Sequence, residues 1–344
     1  MSSTSRTLNW GILGTGNIAN QFAAGVQAGG KRSRIAAVAS RTEACARAFA
    51  EKHQVSAAFG SYEAMLASDD IDAVYVSLPN AMHHSWTLAS LDAGKHVLCE
   101  KPFALDAAQA EAMFDRAVAK GLLVVEAFMY VSHPLTAAVQ KALAAGAIGE
   151  LQLIRTSFSY RTRKIAGNVR FDRPLGGGAL MDIGCYCIHF ARRFAGAEPT
   201  EIQTIGRMHA AGVDELLAAQ MRFPSGVLAT FTCGMSAQAN NAAMLSGSDG
   251  FIESPVPWKP PVNNAAYHIR RMTPPRMDKS AAPSPPDAET VTVNADRPLY
   301  ALEADEFAAA ALDGQRPAIT REDTMGNMRV LDVMRSQIGL AFNA

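Results

Sequence analysis

At 344 residues the chain is long for one hydrophobic core, so two domains are expected. Its 32 basic and 32 acidic residues balance, which excludes a global field that would draw it to nucleic acid or to an anionic membrane. Five cysteines without framework spacing read as reduced thiols; the polar start Met1 to Asn9 reads as no secretory signal, and no apolar run nears the roughly 20 residues that span a bilayer, so a cytoplasmic protein is expected.

In chain order, an extended apolar run from Thr7 to Leu13 leads into Gly14-Thr15-Gly16-Asn17-Ile18-Ala19 and a helix from Ile18 to about Gln27. Gly14 permits a tight turn, Gly16 lets backbone approach a pyrophosphate, and small Ala19 lets the helix pack on the strand. The free N–H groups at the helix start then suit a doubly charged anion. Gly14, Thr15, Gly16, Asn17 and Ile18 are therefore candidate cofactor-binding residues.

Strands and helices then alternate. Arg34 to Ser40, Ala57 to Phe59, Asp72 to Leu78, His96 to Cys99 and Leu122 to Glu126 read as strands. Thr42 to His53, Ser61 to Ala67, Ala81 to Ala93 and Asp106 to Lys120 read as helices, Thr42 and Asp106 serving as N-caps. This alternation argues for an α/β fold with a parallel, doubly wound sheet. The pattern changes after Glu126. A helix from His133 to Ala145 precedes longer strands at Leu151–Arg161, Glu201–Met208, Leu216–Phe223 and Val227–Cys233, with Phe223-Pro-Ser-Gly226 as a hairpin turn. Gly176-Gly177-Gly178 opens a helical run to Phe194, Ser254 to Pro298 reads as a proline-rich surface excursion with two edge strands, and helices over Glu303–Leu312 and Glu322–Leu340 close the chain. The expected domains are 1–126, binding a dinucleotide, and 127–344, an α+β unit with an open, mostly antiparallel sheet whose closing helices pack back on the first.

The residue that reads the adenosine ribose belongs at the end of the second strand, where the chain has Ser40-Arg41 and no carboxylate. A hydroxyl followed by a guanidinium suits a 2′-phosphate, which favours NADP over NAD, although an arginine at a helix start is commonly just solvated. Leu78-Pro79-Asn80 and His83 sit at the carboxyl edge of the sheet, where open α/β folds bind ligands.

At Glu100-Lys101-Pro102 the pattern becomes specific. With Gly14-x-Gly16-x-x-Ala19, Pro79-Asn80 and the segment from Gly176 through Asp182 to Tyr186, the chain resembles the glucose–fructose oxidoreductase / inositol dehydrogenase family along nearly its whole length. Within that family it is most similar to aldose dehydrogenases and dimeric dihydrodiol dehydrogenases. The resemblance implies a Rossmann first domain, a cis bond before Pro102, Lys101 beside the nicotinamide ribose and the substrate hydroxyl, and Glu100 among the cofactor-binding residues. It also implies Arg170 near the nicotinamide, Asp182 and Tyr186 at the substrate, and pairing into a homodimer or homotetramer. Tyr130, His133 and Arg163 are further substrate candidates, and here Val131 and Ser132 depart from the family's pattern.

Oxidising an alcohol needs a hydride acceptor and a destination for the hydroxyl proton. Asp182 and Tyr186, four apart, share one helix face. A lysine about 4 Å from a tyrosine is worth on the order of 4 kcal/mol, enough to bring a phenol toward neutrality. Tyr186 is thus the expected base, Lys101 its activator and Asp182 the orienting group, with His83 and His189 as the next candidates. Cys185-x-Cys187-x-His189 suggests zinc only weakly, because a spacing of two points thiols apart on a helix, and no metal is expected. The expected activity is NADP-dependent oxidation of a pyranose or aldose. A trans-dihydrodiol oxidation and a catalytically silent NADP-binding protein are the alternatives.

Overall fold

Two sheets carry the chain in the computed structural model, which describes residues 6–271 and 287–342. The first holds β1 (Leu8–Leu13), β2 (Ser33–Ala39), β3 (Ala57–Phe59), β4 (Ala73–Val76), β5 (His96–Glu100) and β6 (Val124–Ala127). All pairs are parallel, in the order β3-β2-β1-β4-β5-β6. Strands covered on both faces read as unbroken apolar runs, and Ala73 to Val76 is buried throughout. The connecting helices are α1 (Asn17–Gly29), α2 (Glu43–Lys52), α3 (Tyr62–Leu66), α4 (His83–Asp92) and α5 (Ala107–Lys120). Local chemistry starts several of them: Thr42, Ser61 and Asp106 each accept a backbone N–H three residues on, from Cys45, Ala64 and Gln109.

After α6 (Pro134–Ala144) comes the second sheet, in the order β14-β13-β12-β11-β7-β10-β9-β8. Its strands are β7 (Leu151–Ser159), β8 (Glu201–Met208), β9 (Asp214–Arg222), β10 (Leu228–Gly234), β11 (Ala243–Gly247), β12 (Gly250–Ser254), β13 (Ala265–Arg271) and β14 (Ala288–Val293). Among the described residues only β7 and β10 pair in parallel. One face, with Ile154, Ala229 and Phe231, is buried on the side of α7 (Cys185–Ala195), while Arg155, Thr230 and Thr232 point outward. The expected hairpin is present, Phe223 O accepting from Gly226 N at 2.9 Å.

The structure adds to the sequence reading here. Strands β11 and β12 fill a stretch that carried no strand signal, being five residues each around a polar turn. Of the two strands expected in the excursion, β14 is an edge but β13 is flanked by β12 and β14. Residues 272–286 of that excursion lie outside the described part.

The closing helices α8 (Leu299–Asp313) and α9 (Arg321–Gln337) are longer and shorter, respectively, than the periodicity suggests. Helix α8 lies on α1: Asp305 accepts the N–H groups of Lys31 and Arg32 at 2.8 and 2.9 Å, and Trp10 of β1 packs between Phe22 and Phe307. The last part of the chain thus completes the core begun by its first strand. No helix among the described residues is long and apolar enough to cross a membrane.

Candidate active site

The strand order reverses between β1 and β4, and a cleft of about 500 Å³ opens at the carboxyl ends of the strands there. Gly14, Thr15, Gly16, Asn17, Ile18, Ser40, Arg41, Leu78, Pro79, Asn80, His83, Glu100, Lys101, Arg170 and Asp182 all line it. Gly14 has φ +99°, a conformation that glycine tolerates at little cost. A Cβ placed on Gly16 would meet no protein atom within 4 Å, so that space belongs to the cleft. Asn20, which sequence reasoning passed over, braces the turn: its amide donates to the carbonyls of Thr15 and Gly16 at 3.2 and 2.8 Å. Its oxygen in turn takes Lys52 and His53. Ser40 Oγ lies 3.5 Å from Thr15 Oγ1, and Arg41 beside it is exposed and free to reach a phosphate. An open glycine cradle, a helix N-terminus and a cation where an acid would otherwise sit form a donor set that fits a dinucleotide with a 2′-phosphate.

Three strand positions across from Ser40, the end of β5 delivers Lys101, followed by a cis bond to Pro102. Its Nζ donates to the carbonyl of Asp182 at 2.7 Å and lies 3.7 Å from Oδ1. Asp182 also accepts from Arg170 Nε at 2.8 Å and from the Tyr160 hydroxyl. A π-helical turn over Leu180–Gly184 aims both the carbonyl and the carboxylate of Asp182 at Lys101, a distortion common at functional sites. Burial is the largest single influence and opposes the charge on Lys101, but Asp182, with Cys185 and Glu100 behind it, holds the ammonium above the usual lysine value. Burial likewise opposes the Asp182 charge, and Lys101 and then Arg170 overcome it, so the carboxyl is held below its ordinary value. The pair therefore stays ionised. His83 is buried between the carbonyls of Pro102 and Leu78, where it fixes the loop that follows Lys101.

The triple glycine has a packing cause. A Cβ on Gly177 would come 2.5 Å from Arg170 O, and one on Gly178, at φ +126°, would come 2.2 Å from Asp214 Oδ1. Asn80 then ties the two lobes by donating to Gly176 O at 2.8 Å.

Four of the expected residues do not line this cleft. Tyr186 is buried; its hydroxyl donates to Met129 Sδ at 3.2 Å, and the Lys101 ammonium sits over its ring, 5.1 Å from the centroid. Burial, then Glu100, pushes the phenol well above its ordinary range. Helical spacing placed Tyr186 on the right face, but the tertiary fold filled the space around its oxygen. Tyr130 is fully buried and bonded to His189 Nδ1 at 2.6 Å. His133 caps α6 through Leu135 N and faces Pro261 O. Arg163 is exposed on the loop after β7, outside the cleft walls. Tyr160, which does join the site, directly follows β7 with no motif to mark it.

The fold and this cleft define a two-domain, dinucleotide-dependent oxidoreductase. Residues 8–128 match the GFO/IDH/MocA oxidoreductase family with NAD-binding Rossmann fold, and residues 136–253 match the GFO/IDH/MocA C-terminal domain. The chain belongs to this family. It is 34% identical to the D-xylose 1-dehydrogenase (NADP(+)) 2 of Haloferax volcanii, over 94% of this chain and 95% of that one. It is also 34% identical to the human trans-1,2-dihydrobenzene-1,2-diol dehydrogenase, over 74% and 76% of the two chains. A 3-ketoreductase from Actinomadura kijaniata, solved with TDP-benzene and NADP, superposes with a TM-score of 0.84 at 31% identity, covering 97% of this chain and 98% of that one.

Proposed function

We propose that the protein is an NADP-dependent sugar dehydrogenase that oxidises a hydroxyl of a pyranose, the anomeric one first. The observation that carries this reading is the ionised Lys101–Asp182 pair, three strands across one cleft from Ser40-Arg41. Bound NADP supplies the hydride acceptor. Oxidation removes a hydride from carbon and a proton from oxygen, and the chain's own groups manage the second. Lys101 donates to the reacting oxygen and favours its anionic form. Asp182 keeps Lys101 charged, with Arg170 and Tyr160 holding the carboxylate in place, and the hydroxyl proton leaves to solvent through the open cleft. The similarity to a D-xylose dehydrogenase supports a sugar substrate. A second reading, oxidation of a trans-dihydrodiol, draws on the rings beside Lys101, where Phe158 and Trp258 lie 5.4 and 5.9 Å from Tyr186. We further place the enzyme in the cytoplasm as a homodimer or homotetramer that pairs through the outer face of the second sheet.

The test is a panel of aldoses, polyols and trans-diols, monitored by nicotinamide absorbance with NADP and NAD in parallel. Turnover of aldoses with NADP is the expected result. Turnover of diols alone favours the second reading, and NADP binding with no turnover across the panel refutes both.

A further inference from the structure

The segment Pro255-Val-Pro-Trp-Lys-Pro-Pro261 joins β12 to β13, and its prolines leave the backbone little freedom. Trp258 is buried and anchors it: the indole donates to Ser157 O at 3.0 Å, stacks on Phe158 at 5.6 Å and meets the edge of Tyr186. The next residue, Lys259, is thereby carried across to the first domain, where its Nζ donates to Gln21 Oε1 at 3.0 Å. Gln21 lies one turn along α1 from Asn17, beyond the N–H groups that face a phosphate.

Lys259 sits within reach of the charges of Lys101, Glu100, Asp182 and Arg170, and burial followed by Lys101 holds it below the usual lysine value. Among the described residues no carboxylate pairs with it. Three cations, Lys101, Arg170 and, exposed beside the cleft rather than in its walls, Lys259, therefore stand near this end of the cleft with two carboxyls. One of these, Asp182, is already shared between Lys101 and Arg170, and the other, Glu100, accepts from the Tyr75 hydroxyl and is pushed up by burial. An exposed ammonium carried on a stiff backbone, with a neutral amide as its hydrogen-bond partner, is stabilised by an arriving anion.

We propose that Lys259 is a substrate-recognition residue, and that the sugar accepted carries an anionic substituent, either a carboxylate or a phosphate ester. This rests on the sugar-oxidising reading above. The test compares kcat/KM for D-glucose, D-glucuronate and D-glucose 6-phosphate in the full chain with saturating NADP, for the native protein, Lys259→Met and Lys259→Arg. NADP affinity is measured separately by fluorescence, and folding by thermal melting. The native protein prefers at least one anionic sugar to glucose, and the carboxylate and phosphate arms identify which. Lys259→Met lowers that anionic-to-neutral ratio by about tenfold or more, the scale of one charge-assisted hydrogen bond, while Lys259→Arg keeps most of it. A native enzyme that oxidises glucose without preferring either anion overturns the proposal and leaves the sugar reading standing. An unchanged ratio in Lys259→Met, or a loss confined to NADP affinity, also overturns it. Turnover of diols alone overturns both.

Discussion

Replacing Asp182 with Asn removes one charge and leaves the shape nearly unchanged, because the backbone carbonyl that accepts from Lys101 at 2.7 Å is untouched and an amide oxygen still faces Arg170 and Tyr160. The Lys101–Asp182 pair lies 3.7 Å apart with only 12% and 16% of the two side chains exposed. At an effective dielectric near 20, that separation is worth about 4 kcal/mol in favour of the ammonium. Burial and the charge of Arg170 act against the ammonium, and Cys185 and Glu100 each favour it less than Asp182 does. In Asp182→Asn the alkaline limb of the kcat/KM profile therefore moves to lower pH, since Lys101 loses its proton earlier. The rate at neutral pH falls by about tenfold or more, while the NADP dissociation constant stays within a few-fold. The assay is NADP reduction with the best aldose of the panel, followed from neutral to alkaline pH. A limb that stays in place, with turnover close to native, refutes the role given to this pair.

Tyr186→Phe keeps kcat within about a few-fold of native, because the phenol is spent on Met129 and held neutral by burial; loss of turnover in a variant that melts normally makes the phenol the base after all. Arg41→Ala raises the KM for NADP by about tenfold or more and leaves that for NAD nearly unchanged, as expected for a charge-assisted phosphate contact. Equal effects on both cofactors remove Arg41 from the 2′-phosphate. Burial raises Glu126 to about 8, against 4.5 when free, so the folded state holds a proton that the unfolded state has released. Its contribution is thus fully present below pH 4.5 and is lost as pH rises toward 8. Glu126→Gln, which keeps an acceptor for Phe103 N, flattens the fall in unfolding free energy over that range, by on the order of 4 kcal/mol at its upper end, as read from denaturant unfolding at a series of pH values. Parallel curves for the two proteins refute this.

Where a local rule decides conformation, the chain was legible. The strand–glycine–helix unit at Gly14, the caps at Thr42 and Asp106, and the alternation that builds a parallel sheet depend on near neighbours along the chain. Ser40, Arg41 and Lys101 were also legible, because the carboxyl edge of a doubly wound sheet brings strand ends to one cleft whatever the helices between them. Contacts between distant segments were not. Spacing placed Asp182 and Tyr186 on one helix face but did not say what lay opposite. The fold set Lys101, Arg170 and Tyr160 against the first, and Met129 with a wall of rings against the second. Tyr130 and His133 looked like substrate ligands beside a motif and became a core pair and a helix cap. Lys259 is separated by 158 positions from Lys101 in sequence, and only the packing of Trp258 against Phe158 carries it across. The sequence by itself determined the cofactor cradle, which is built from backbone and local turns. The tertiary structure decided which side chains keep their charge, because desolvation and pairing depend on what the fold buries beside them.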